Sequence, residues 1–139
     1  MNRQWRPTAS ALLAVCALIV GLTACGAPSK RVDAASGAAT TFEKAVSGGN
    51  RTAMCAALAP QTRSEVEDSE KKVCTEAISE EDLSDGGAVR RVDVWGHQAR
   101  AVLAADTLFL SQFPGGWKIV AAGCRPQPGK PYQCSVKGG

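Results

Sequence analysis

Histidine is almost absent from this 139-residue chain, His97 being the only one. Any general-base chemistry that uses imidazole must therefore use His97. It stands beside Gly96 in what reads as a hairpin turn, where solvated polar residues belong, and no nucleophile is placed near it. Paired C-x-x-C units are missing too, which together with one isolated histidine argues against zinc. The acidic stretch "SEEDLSDGG" contains Glu80, Glu81, Asp82 and Asp85 but lacks the alternating D-x-D-x-D-G ligands of a calcium loop. It reads as an exposed connection. No apolar run reaches the roughly 20 residues that cross a bilayer comfortably, and no acidic residue precedes Asp33.

What the first residues do contain is distinctive. "MNRQWR" carries Arg3 and Arg6, and the apolar stretch Ala9–Ala24 follows it. A charged start before a short apolar segment has the form of a secretory leader; an uncleaved anchor is the alternative. The apolar stretch closes on "LTACG", and "CGAPSK" after it breaks any helix, which sets aside Cys25 as a buried core residue. A cysteine thiolate is the nucleophile that can accept a diacylglyceryl group, and small residues before it suit an extended chain in a peptidase cleft. Leu22, Thr23, Ala24 and Cys25 resemble the lipobox of bacterial lipoproteins. The resemblance implies cleavage after residue 24 and lipid attachment on Cys25. Two acyl chains hold a protein stably on a bilayer without a transmembrane helix.

Processing would change the cysteine and charge arithmetic. Of six cysteines, Cys16 leaves with the leader and Cys25 carries lipid, so Cys55, Cys74, Cys124 and Cys134 remain. Four cysteines outside a reducing cytosol read as two disulfides with three possible connectivities. Cys55–Cys74 and Cys124–Cys134 are favoured because both close short loops, for which chain entropy gives about 3 kcal/mol each. Of the 16 basic residues, 14 remain against 13 acidic ones, a net charge of +1 with the acylated terminus neutral. Such a balance implies no basic patch and no nucleic-acid partner.

Residues 25–33 read as a lipidated polar tether, and 34–139 as a single domain. Ala35, Ala38, Phe42, Ala45 and Val46 fall at helical spacing, and "SGGN" stops that helix. Asn50 is placed to cap a second helix, "RTAMCAALA", and Pro60 to open a third. "TRSE", Thr62 to Glu65, has capping-box spacing. Val73, Cys74, Ala77 and Ile78 give a short apolar turn or helix. After Gly87 the period becomes two: Val92 and Val94, then Ala99, Ala101 and Leu103, then Leu108 and Leu110, then Trp117, Ile119 and Ala121. Turn signals at Gly96-His97, Ala105-Asp106 and Pro114-Gly115-Gly116 make these runs hairpins of an antiparallel meander. "YQCSV" reads as one last strand.

Helices followed by a sheet predict an α+β fold, with N-terminal helices packed on a curved antiparallel sheet of about four to five strands. The order, with the rhythm "GHQARAVLA…LFLSQFPGGWKIVAAGC", resembles the cystatin-like and nuclear-transport-factor-2-like (NTF2-like) superfamily. It is also similar to small secreted lipoproteins of high-GC Gram-positive bacteria that share a glycine-tryptophan strand start and a terminal cysteine pair. The resemblance implies a domain on the extracytoplasmic face of the cell membrane. Some enzymes of that superfamily use an Asp or His inside the cone of sheet and helices. Asp93 and Asp106 match no such motif, so no catalytic residue, metal or cofactor is expected. Trp117 belongs with the core, whereas Trp95, out of phase with Val92 and Val94, suits a contact surface. The expected role is non-enzymatic binding of an envelope protein or component. The alternative is a carrier or enzyme that takes a small apolar ligand into the cone.

Overall fold

The structure is a computed structural model that describes residues 28–138. The leader, Cys16, Cys25 and the start of the expected tether lie outside the described residues. The fold is α+β. Four helices, α1 (Pro28–Ser47), α2 (Arg51–Ala57), α3 (Pro60–Glu70) and α4 (Cys74–Ala77), precede seven strands. These are β1 (Val89–Trp95), β2 (Gln98–Leu103), β3 (Thr107–Phe113), β4 (Gly116–Ala122), β5 (Arg125–Gln127), β6 (Lys130–Gln133) and β7 (Val136–Lys137). A five-stranded sheet runs in the order β1-β2-β3-β4-β7, each neighbouring pair antiparallel, and β5 and β6 form a separate hairpin. Among the described residues no helix is long and apolar enough to cross a membrane.

Alternation along the strands sorts the two faces of the sheet. Ala99, Ala101, Leu103, Leu108, Leu110, Trp117 and Ile119 turn to the helices and are buried with Ala35, Ala39, Phe42 and Ala45 of α1 in one apolar cluster. On the other face Arg100 pairs in register with Asp93 on β1 and Phe109 on β3. Asp93 takes hydrogen bonds from Arg91 and Arg100, 2.8 Å each, so its carboxylate belongs to a charged ladder outside the core. Tyr132 of β6 meets Phe109 edge-on at 5.1 Å between ring centroids. The β5–β6 hairpin therefore covers part of the outer face.

Two disulfides form, Cys55–Cys74 and Cys124–Cys134. The first ties α2 to α4; the second holds the β5–β6 hairpin and the chain after it to the end of β4.

Local chemistry explains most helix ends. Asn50 caps α2, its side chain accepting the Ala53 N–H at 3.0 Å. Gly49 follows α1 with φ of +63°, a left-handed position that favours glycine. Pro60 opens α3 where its missing N–H costs nothing.

Three expectations need correction. Helix α1 starts at Pro28, six positions before Ala34, so the stretch 28–33 read as tether is helical. The "TRSE" capping box does not form: Ala59 is the N-cap, and Thr62 lies buried inside α3 with its Oγ1 donating to the Val120 carbonyl at 3.2 Å. "YQCSV" is two strands, not one. Residues up to Gln133 pair with β5, and only Val136–Lys137 reaches β4. Cys134, bonded to Cys124, and the bend at Ser135 separate them.

Candidate functional site

Helix α1 sets the poles of the molecule. Near its start, the Arg31 guanidinium donates to the Gly96 carbonyl in the β1–β2 turn and to Gln112 Oε1 at 3.2 Å, and lies 5.8 Å from the Trp117 ring centroid. Near its end, Glu43 reaches the loop before β1 and the β2–β3 turn. The helix thus runs the length of the sheet, about 30 Å for 20 residues.

The candidate site is a groove of about 290 Å³, open to solvent, at the Glu43 end. Thr40, Glu43, Lys44 and Ser47 line it from one face of α1, at i, i+3, i+4 and i+7 spacing. Asp85, Gly87, Ala88 and Val89 close it from the loop and β1. Glu43 is 6% exposed, and its Oε2 accepts the Gly86 N–H at 2.8 Å. Burial disfavours the ionised form and raises its pKa from 4.5 to about 7. The Gly86 N–H works against that rise, whereas negative charge on Asp106 and Asp85 adds to it. The group can thus give or take a proton near neutrality.

Gly86 is held as tightly as Glu43. Its carbonyl accepts from the Ala105 N–H at 2.9 Å. A Cβ there would stand 2.7 Å from Asp106 Cβ and 3.0 Å from Leu103 Cδ2. Asp106 is the other fixed point. Its carboxylate accepts from the backbone N–H of Thr107, of Gly123 (3.1 Å) and of Cys124 (2.7 Å). Those three bonds lower its pKa, but burial outweighs them and leaves it above the usual carboxylate value. Asp106 therefore acts as a brace joining the β2–β3 turn to the end of β4.

The residues singled out from sequence scatter. His97 is exposed in the β1–β2 turn, at the opposite pole from Glu43. Trp117 is 8% exposed, with Ile119 in the core, and Trp95 is 49% exposed. Glu80, Glu81, Asp82 and Asp85 do not converge: among the described residues no group of three or more His, Cys, Asp or Glu side chains could hold a metal ion. Cys25 lies outside the described residues. Glu43 was missed, although a signal existed. It follows Phe42 directly and stands four residues after Ala39, so the helical period places an acid within the apolar stripe. No protein-family model, curated protein or solved structure matches this chain.

Proposed function

We propose that this chain is a membrane-anchored lipoprotein of the cell envelope, held by lipid on Cys25 at the extracytoplasmic face, whose domain binds an envelope protein or component without catalysing a reaction. The observation that carries the reading is "LTAC" at Leu22–Cys25, placed where the apolar stretch after a basic start must end. The two disulfides support it, because such bonds persist in oxidising compartments. The α+β arrangement is compatible with the cystatin-like and NTF2-like assignment, which forms part of the proposal. Phe42, Leu58 and Trp117 occupy the space between helices and sheet where a cone-shaped cavity would lie. That packing favours a role for the surface.

One observation favours the second reading, a small-ligand carrier or enzyme: the groove beside Glu43, whose carboxyl titrates near neutrality. A ligand there would meet hydroxyls, a lysine and an acid, so it would be polar rather than apolar. Mass spectrometry of the membrane fraction tests the leading reading. A diacylated cysteine at the start of the processed chain is expected, and its loss together with membrane retention in Cys25→Ser. An unmodified Cys25 in the native product refutes the anchor.

A further inference from the structure

The two poles of the domain differ in chemistry. At the Arg31 end, the first two turns of α1 present Lys30 and Arg31 with Asp33 as the single acid. The β1–β2 and β3–β4 turns, at Gly96-His97 and Pro114-Gly115, carry no acidic residue. At the other pole sit Glu43, Asp85 and Asp106. Positive charge is thus offset toward the start of α1, and the acidic groups gather about 18 Å along it, at the level of Glu43.

The same positive end carries an apolar anomaly. Trp95 is the last residue of β1 and shares a strand face with Asp93, away from the helices. It is 49% exposed, and with Val73 it is one of two large apolar side chains left that open among the described residues. Leaving half an indole in water forgoes burial that an apolar neighbour would supply, and tryptophan favours sites that are apolar on one side and wet on the other. Arg31 fixes the turn beside it, so the ring sits on a braced hairpin and not on a free loop.

Chain connectivity says what lies next to this end. Pro28 follows Cys25 by three residues, which span at most about 10 Å when extended. If Cys25 carries the lipid of the proposed function, the start of α1 stands within that distance of the headgroups. We propose that the domain stands end-on, with Trp95 seated in the headgroup region of an anionic bilayer and Lys30 and Arg31 facing its surface charge. The inference rests on the lipid anchor and adds to it an orientation: the Glu43 groove faces away from the membrane, free for an envelope partner. An indole and two cations at an anionic interface match the known preferences of these side chains.

The test uses the native lipidated protein, its acylation verified by mass spectrometry, in vesicles of phosphatidylcholine with phosphatidylglycerol. Some vesicles carry bromine on the upper acyl chain as a contact quencher of tryptophan. The processed chain holds two tryptophans, Trp95 and the buried Trp117. Brominated lipid is expected to remove about half of the emission, the share of one interfacial indole. Trp95→Phe is expected to lose that quenching and keep its membrane anchorage. Raising the salt or omitting phosphatidylglycerol is expected to reduce quenching, because surface attraction is screened. Acylated protein whose emission is equally quenched in wild type and Trp95→Phe, or unquenched in both, overturns the orientation while leaving the anchor intact. An unacylated Cys25 removes the anchor and the orientation with it.

Discussion

Replacing Glu43 by glutamine isolates the most unusual ionisation in the fold. The carboxyl has a pKa of about 7 when folded against 4.5 when exposed. A raised folded-state pKa means that the native protein binds the proton more tightly, so stability falls as pH rises. The contribution is fully present below pH 4.5, declines between 4.5 and about 7, and is gone above that. The gap of about 2.5 pH units, at about 1.36 kcal/mol per unit, converts to about 3 kcal/mol. Because the group borders a groove open to water, about 2–3 kcal/mol is the working figure. Asp106 and Glu81 are shifted in the same direction and add to the slope. Asp93 is shifted the other way by Arg100 and Arg91, and its loss falls at pH below its ordinary 3.8, outside this window. Glutamine keeps an oxygen to accept the Gly86 N–H and carries no charge. Non-reducing urea titrations at pH 5 and pH 8 are the assay. Wild type is expected to lose about 2–3 kcal/mol between them, Glu43→Gln less than about 1 kcal/mol, and the variant to be the more stable of the two at pH 8. Equal pH dependence in both proteins would refute the reasoning.

Two further outcomes follow from packing and cross-linking. Replacing Cys55 and Cys74 together by alanine is expected to cost about 2–4 kcal/mol in denaturant unfolding, because the 19-residue separation they close becomes free in the unfolded chain. A cost below about 1 kcal/mol would show that the link adds little to α2 and α4 packing. Gly86→Ala is expected to lose about 1–3 kcal/mol, since the new methyl meets Asp106 Cβ at 2.7 Å on one side and Leu103 on the other. Hydrogen exchange at the Gly86 and Ala105 amides should quicken in that variant more than exchange within β3, and a uniform change would locate the strain elsewhere.

Much of the fold was legible because its signals are short-range. Helix stops at Gly48-Gly49, the Asn50 cap and Pro60 at the head of α3 each act over a few residues, and the structure contains all three. The period-two runs from Val92 to Ile119 identified the four meander strands and their inward faces, because alternate residues of a strand meet the same environment. Past Ile119 a register shift pairs Ala121 with Phe109 of the outer face and brings Ala122 into the core cluster instead. The failures share a cause as well. Thr62 had the local pattern of a cap, but the Val120 carbonyl, 58 residues away, claimed its hydroxyl. "YQCSV" alternates like a strand, but pairing with β5 took its first half and β4 its second.

By itself, the sequence determined the class of fold and the succession of helices and meander strands from α1 to β4. Periodicity, turn chemistry and motif spacing are properties of neighbouring residues and need no partner across the molecule. Only the tertiary structure decided that Glu43 would hold a proton near neutrality and that Trp95 would stand half in water beside a hairpin braced by Arg31. Desolvation depends on everything that closes around a group. Beside that burial, the Gly86 N–H, which opposes the shift, and the charges of Asp85 and Asp106, which add to it, come from residues at least 42 positions away.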